Sequence, residues 1–351
     1  MATIGTAYHA VDMIYSNVFY GDVIEASSNT IRISDGRYEQ VYQGQFTYDS
    51  YGLSGGVVNA TSFYEYGELF YKTSGGPYQA LSVERYINNN DLEGLYDKVI
   101  FSGEDTINGS NENDTLSGFQ GNDIIYGNSG DDIIIDTSGD DRVYGGNGND
   151  LISIDYYGAY GGHDVIDGGE GIDTLVYTKS LANYSITTTG SNGSVTDNSG
   201  QAGYAEIVSV ERLRFIDKSL ALDTEGNAGQ AYRIYKAAFD RTPDSGGLGY
   251  WIDVMDNGHT LEQVAAGFIN SIEFQDMYGE NPSDEQFLTA LYNNVLDRGP
   301  DDGGYLWWLD SLGSGAFTRE GALAGFSESA ENQENVIELI ANGIMYDEWA
   351  G

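Results

Sequence analysis

Eight aspartates, Asp105, Asp114, Asp123, Asp132, Asp141, Asp150, Asp164 and Asp173, stand nine residues apart at every step but one. Carboxylates at so regular a spacing are hard, charged donors, and the cation that collects six to eight oxygens of this kind is calcium. Glycines precede them at fixed offsets, most clearly in Gly118-Phe-Gln-Gly-Asn-Asp123, Gly127-Asn-Ser-Gly-Asp-Asp132, Gly145-Gly-Asn-Gly-Asn-Asp150 and Gly168-Gly-Glu-Gly-Ile-Asp173. Glycine at the first, second and fourth positions permits φ > 0 and a tight turn whose carbonyls face inward. Those carbonyls add neutral oxygens to the carboxylate at position six. Two residues beyond each aspartate comes an aliphatic side chain: Ile107, Leu116, Ile125, Ile134, Val143, Ile152, Ile166 and Leu175. Three extended residues after the turn place it on one face. One unit cannot bury that face alone, so the array must fold as a stack.

The pattern Gly-Gly-x-Gly-x-Asp-x-aliphatic-x resembles the RTX nonapeptide repeat, a calcium-binding β-helix unit. The resemblance implies a right-handed parallel β-roll in which two nonapeptides make one coil and each ion lies between turns two repeats apart. It implies the pairs Asp105 with Asp123, Asp114 with Asp132, Asp123 with Asp141 and Asp132 with Asp150, and, across an insertion at Ile154 to Gly158, Asp141 with Asp164 and Asp150 with Asp173. Carbonyls of Gly118, Gln120, Gly121, Gly127, Ser129, Gly130, Gly139, Gly145, Asn147 and Gly148 would complete the shells. Asp123 and Asp132 then each serve two sites and Asp173 one, so Asp173→Ala is expected to disturb calcium-dependent folding least. Glu112 at a position-four site, Asp136 at a position-one site and the missing glycines before Asp105 mark turns expected to bind differently.

Charge supports a folding switch. The chain of 351 residues carries a net charge of −40, and residues 102–176 hold sixteen Asp or Glu against Arg142 alone. Such a segment repels itself until cations neutralise it, and binding to a site absent from the unfolded chain is folding free energy. Nucleic acid and anionic membrane are poor partners for this charge. There is no cysteine, so no disulfide or thiolate site can form. The first 31 residues hold no Lys or Arg and no long apolar run, which disfavours a secretory signal peptide, and no later stretch is expected to span a bilayer. By the family resemblance, export would use the type I secretion machinery of a Gram-negative bacterium and the protein would be secreted or held at the cell surface. The tail Ile344 to Gly351 is compatible with a C-terminal signal.

Positioning these turns calls for a multidomain β plus α chain. Residues 1–100 read as a Tyr-rich antiparallel β-domain, with strands at Asn29 to Ser34, Gln40 to Tyr48, Val57 to Tyr66 and Leu69 to Thr73. Pro77 is expected to open short helices at Tyr78 to Ile87 and Leu92 to Val99, leading to the roll at 101–178. Residues 179–224 read as a β cap. From Asn227 the apolar period becomes 3.6, as in Ala231, Ile234, Tyr235 and Ala238, so 225–351 is an all-α domain. It is duplicated: Tyr235 to Trp251 matches Tyr292 to Trp308, each half reading helix, turn, helix, helix. Thr260 with Gln263 and Ser283 with Gln286 form capping-box signatures. This half-repeat is similar to a domain of unknown function that follows RTX arrays and occurs in bacterial surface-layer and surface-associated proteins.

The shared Asp-Arg-x-Pro-Asp-x-Gly-Gly turn, with Asp240, Asp244, Asp297, Asp301 and Asp302, could hold a cation or sugar hydroxyls. It reads more simply as a helix junction: proline and aspartate open the next helix, glycine breaks the previous one, and Arg241 and Arg298 pair locally. Trp251 and Trp308 suit a core, and Trp307, on another helical face, suits an exposed contact.

His9, His163 and His259 are the only histidines and none lies in His-Glu-x-x-His, which excludes a zinc metalloprotease of that type. Gly52-Leu-Ser54-Gly-Gly56 fits Gly-x-Ser-x-Gly, but between strands it reads as a hairpin turn rather than a nucleophile elbow. No catalytic residue is assigned and a non-enzyme is expected. The preferred function is an exported, calcium-folded structural protein that self-associates into a surface layer, fibre or matrix. The alternative is a calcium-dependent adhesin or module for cell-surface glycan, with an enzyme in the N-terminal β-domain third.

Overall fold

The computed structural model describes residues 3–4, 22–49, 52–65, 68–79, 103–154, 162–199 and 203–349. The chain divides into two compact units, residues 1–187 with 191–216, and residues 188–190 with 217–351.

The first unit opens with strands rich in β-branched and aromatic residues, the side chains that suit a pleated surface. These are Thr3–Ile4 (β1), Asp22–Ala26 (β2), Thr30–Ser34 (β3), Tyr38–Asp49 (β4), Gly52–Glu65 (β5) and Glu68–Gln79 (β6). Neighbours from β2 to β6 pair antiparallel, as expected. Pro77, Tyr78 and Gln79 differ from expectation: they end β6, with Tyr78 opposite Val58 and Gln79 opposite Val57. The rest of the two helices expected after Pro77 falls outside the described residues.

Parallel strands follow at the repeats: Thr106–Asn108 (β7), Thr115–Gln120 (β8), Ile124–Ser129 (β9), Ile133–Ser138 (β10), Arg142–Asn147 (β11), Leu151–Ser153 (β12), His163–Glu170 (β13) and Thr174–Val176 (β14). Odd strands pair with odd and even with even, in registers of 18 residues such as Ile125 with Val143 and Ile134 with Ile152. This is a parallel β-roll of two nonapeptides per coil. The insertion lengthens one coil and leaves the pairing intact, with Val143 opposite Ile166 and Ile152 opposite Leu175. β1 joins the two parts of the unit, pairing antiparallel with β6 and parallel with β7 through Thr3 and Thr106. The antiparallel strands thereby continue one of the roll's two sheets.

Beyond the repeats come Tyr184–Thr189 (β15), Asn192–Asp197 (β16), Tyr204–Val208 (β17) and Arg212–Arg214 (β18). β17 pairs parallel with β13 and β18 parallel with β14, so the segment expected to cover the roll first supplies another coil of it. β16 then pairs antiparallel with β17 and lies outside it in the sheet order, with β15 beyond. Ile207 and Leu213 extend the two rows of aliphatic side chains, in which all eight repeat members are fully buried. Each turn contributes a single residue to this thin core. Ile152→Ala, in the middle of a row, is therefore expected to destabilise the roll by about 2–5 kcal/mol, read as a higher calcium concentration at the midpoint of a folding titration.

The second unit holds Ser219–Ala221 (β19) paired antiparallel with Ile344–Tyr346 (β20), and, among the described residues, eight helices. They are Asn227–Phe239 (α1), Ser245–Asp256 (α2), Leu261–Ile269 (α3), Ile272–Tyr278 (α4), Asp284–Leu296 (α5), Asp302–Gly313 (α6), Arg319–Ser327 (α7) and Ala330–Ile340 (α8). Each half thus has four helices, where three were expected. The extra ones, α4 and α8, start from the N-cap side chains of Ser271 and Ser329. Both capping boxes are present. Packing repeats as well: Phe268 meets Tyr235 edge-on with centroids 5.3 Å apart, and Phe326 meets Tyr292 at 4.9 Å. Trp251 stacks on Phe268 and Trp308 lies tilted against Phe326, while Trp307 is 54% exposed.

Candidate metal centre

The coil of the roll brings the eight aspartates into two columns: Asp105, Asp123, Asp141 and Asp164 at one edge, and Asp114, Asp132, Asp150 and Asp173 at the other. Within each column Oδ1 of one aspartate accepts the backbone N–H of the aspartate a coil earlier. The distances are 2.8 Å from Asp105 to Asp123, 2.7 Å from Asp114 to Asp132, 2.7 Å from Asp123 to Asp141 and 2.9 Å from Asp132 to Asp150. The pairs across the insertion also form, at 3.1 Å from Asp141 to Asp164 and 2.8 Å from Asp150 to Asp173. All six pairs implied by the repeat resemblance are brought together.

Oδ2 then has a separate fate. In Asp123, Asp132, Asp150 and Asp173 this atom is buried and meets no hydrogen-bond donor of the protein. A carboxylate oxygen removed from water without a partner is costly, and a cation is the group that relieves the cost. The surroundings fit one. A Cβ added to Gly127 or Gly145 would collide with Oδ2 of Asp132 or Asp150 and with the carbonyl of Gly145 or Gly168 a coil later. Glycine at position one therefore lets backbone oxygen and carboxylate oxygen crowd into one space. Position-four Gly121, Gly130, Gly139 and Gly148 take φ of 143°, 115°, 145° and 131°, a region closed to other residues at low strain. Gly130 and Gly148 donate their N–H groups to the position-three carbonyls of Asn147 and Glu170, each of which keeps a second lone pair. Gly118, Gln120, Ser129 and Asn147 lie in β8, β9 and β11, at the rims of these turns.

Burial without a cation's charge disfavours the ionised carboxylates. It lifts Asp123 to about 8, against the opposing hydrogen bond from the Asp105 N–H and with Asp141 and Asp105 adding repulsion. Desolvation likewise raises Asp132, Asp164 and Asp173 to about 7, and it raises Asp150. Among the described residues no three acidic or histidine side chains converge on one point.

The Asp114 turn differs, as its Glu112 implied: Oδ2 of Asp114 accepts the N–H of Ser110 at 2.5 Å, and Ser110 Oγ accepts the N–H of Glu112. Two features escaped the sequence reading. Position-five side chains form a second ladder in the opposite direction, with Asn113, Asn122, Asp131, Asp140 and Asn149 accepting the position-five N–H a coil later at 2.8–2.9 Å. Asn or Asp at position five in consecutive repeats was the available signal. The other is Glu211, whose Oε2 accepts the Asp173 N–H at 3.0 Å, where the next aspartate of that column would stand.

The other candidates resolve into structure. Asp240 and Asp297 end α1 and α5 in the left-handed region at φ 47° and 51°, so aspartate, not the expected glycine, breaks each helix. Asp244 and Asp301 cap α2 and α6 by accepting the N–H of Gly247 and Gly304, both at 2.7 Å. Arg241 and Arg298 reach beyond their own turns to make bidentate pairs with Glu273 and Glu331, each at 2.8 Å through Nε. Ser54 lies exposed near the start of β5, its Oγ donating to Thr47 Oγ1 at 3.4 Å. Strand continues beyond it, and the strand-to-helix turn of a nucleophile elbow is absent there. The His163 ring sits 5.4 Å from that of Tyr204, and His259 Nδ1 lies 3.0 Å from the Val254 carbonyl.

Fold and site together define a calcium-binding β-roll followed by a duplicated helical unit. Residues 100–134, 126–153 and 159–175 match the RTX calcium-binding nonapeptide repeat, and 227–277 and 265–336 match a domain of unknown function, DUF4214. The chain carries RTX repeats, which bind calcium, and a DUF4214 domain after them. Among solved structures it is similar to the extracellular lipase LipA from Serratia marcescens, at 22% identity and a TM-score of 0.19 over 36% of this chain and 16% of the lipase. No curated protein matches it. No helix among the described residues is long and apolar enough to cross a membrane.

Proposed function

We propose that this protein is exported, folds on extracellular calcium with the eight aspartates and the turn carbonyls as ligands, and then self-associates as a component of a surface layer, fibre or matrix. The observation that carries the calcium reading is the series of buried, unpartnered Oδ2 atoms on Asp123, Asp132, Asp150 and Asp173. Extracellular calcium modules work at roughly 10⁻⁴ to 10⁻³ M, far above cytosolic levels, so the same chain stays loose for passage through a type I channel and becomes rigid outside. Self-association draws support from apolar side chains left in water on the helical unit: Leu306 is 62% exposed, Trp307 54% and Phe317 40%, with the Trp307 and Phe317 rings 5.5 Å apart. Exposed apolar groups gathered in this way mark contact surfaces. The same aromatic pair suits the face of a sugar ring, which favours glycan capture as the second reading.

Light scattering and electron microscopy on the purified chain, first in chelator and then in millimolar calcium, separate the two. Calcium-triggered growth of ordered particles, lost in Trp307→Ala, is the expected result. A folded monomer retained on polysaccharide would replace self-association with glycan binding.

A further inference from the structure

The aspartate columns end differently. Beyond Asp164 the next coil offers Ala205, its partner in the parallel pairing of β13 and β17. Beyond Asp173 it offers Glu211, which does for Asp173 what Asp173 does for Asp150 and Asp150 for Asp132. The neighbouring carbonyls repeat in step. A Cβ on Gly127, Gly145 or Gly168 would meet the carbonyl of Gly145, Gly168 or Ser209 respectively, and in each case Oδ2 of the aspartate in its own turn. Asp132 Oδ2 with Gly145 O and Asp150, and Asp150 Oδ2 with Gly168 O and Asp173, are therefore matched by a third set: Asp173 Oδ2, Ser209 O and Glu211. Asp173 is fully buried and its Oδ2 has no donor in the protein.

The nonapeptide pattern does not reach this turn. Six residues run from Gly168 to Asp173, but three run from Ser209 to Glu211. From this shorter turn glutamate, with one methylene more than aspartate, still brings Oε2 to 3.0 Å from the Asp173 N. The turn is held in place independently of any ion. Ser209 takes a left-handed φ of 48°, its N–H donates to Asn192 Oδ1 at 3.1 Å, and the N–H of Val210 donates to the Ser191 carbonyl at 3.0 Å.

We infer that Asp173, Glu211 and the Ser209 carbonyl form one further divalent-cation site at the end of the roll, with calcium as its ion and Glu211 as a ligand outside the repeats. This rests on the calcium reading of the aspartate columns. Such a site fastens the coil of β17 and β18 to the last repeat, so metal orders the roll's end as well as its middle.

The test is the number of calcium ions bound per chain, counted by native mass spectrometry at saturating calcium, together with the calorimetric titration. Glu211→Gln keeps an oxygen to accept the Asp173 N–H and removes the charge. It is expected to bind one ion fewer than the unaltered chain, with unchanged β signal from the rest of the roll, and Glu211→Asp to recover part of the loss. An unaltered ion count and titration in Glu211→Gln would overturn the inference while leaving the repeat sites standing. Absence of calcium uptake by the unaltered chain would remove the reading on which it rests. Should Glu211→Gln misfold, Asp173→Asn serves as a second readout: Asp173 stands between Asp150 and Glu211, so two ions should be lost, and a loss of only one would overturn the inference.

Discussion

Removing calcium is expected to unfold residues 103–176 and leave the helical unit standing. The two units draw stability from different sources. In the helical unit, α1 is buried along nearly its whole length and packs with Phe268, Phe287, Leu291 and Phe326 in a core of aromatic and aliphatic side chains, which needs no ion. The roll has one fully buried aliphatic residue per turn and a buried carboxylate beside each, too little apolar area to overcome charge repulsion and chain entropy. Calcium at a hundredfold over its Kd contributes about 2.7 kcal/mol at each site that exists only in the folded chain. Several such sites acting on one stack give a cooperative, all-or-none transition. In chelator, circular dichroism should retain the helical signal and lose the β contribution, and a protease should cut between 103 and 176. Millimolar calcium should reverse both. A roll equally protected with and without chelator would refute the calcium-folding reading.

Glu211 changes the expected ranking of single substitutions. The repeat scheme alone leaves Asp173 at the end of its column with one neighbour, and predicts a milder effect for Asp173→Ala than for Asp132→Ala. With Glu211 accepting the Asp173 N–H, Asp173 stands between two acids as Asp132 does. The two substitutions should therefore raise the calcium midpoint for folding to similar extents.

Much of the roll could be read in the sequence because its contacts recur at a fixed separation. A period of nine places each aspartate and each aliphatic residue, and the resemblance to the RTX repeat, with two nonapeptides per coil, makes Asp123 and Asp141 partners. Contacts without a period were hidden. The two residues of β1 link the antiparallel strands to the roll through Thr3, with partners at Ser74 and Thr106 that no local pattern names. Glu211 lies 38 residues beyond Asp173, after a hairpin that interrupts the repeat. The fourth helix of each half follows its predecessor after two residues, Asn270 and Ser271 before α4 and Glu328 and Ser329 before α8, so its apolar positions merged with those of the helix before it. The arginines of the duplicated turns find Glu273 and Glu331 for the same reason, since those partners stand in the helices that the pattern did not resolve.

Acid should partly replace calcium in holding the metal-free roll, and should compete with calcium for it. An exposed aspartate titrates near 3.9, whereas burial places Asp123 at about 8 and Asp132, Asp164 and Asp173 at about 7. A folded-state value above the unfolded one means that the folded roll binds more protons, so the stabilising contribution is complete below the unfolded value and is lost as pH rises through 7 to 8. Without metal, the chain at pH 5 should therefore hold more β-structure than at pH 9. Calcium requires the ionised carboxylates and must displace these protons, so its apparent affinity should fall as pH is lowered from 8 to 6, with protons released on binding near neutrality. Calorimetry in two buffers of different ionisation enthalpy measures that release directly. Asp132→Asn separates the two effects, because a neutral amide keeps an oxygen for the Asp114 N–H but donates no charge to the ion. It should make the metal-free roll less sensitive to alkali and weaken calcium binding at every pH. Proton release equal to that of the unaltered chain would show that the Asp132 carboxyl is already ionised before calcium arrives.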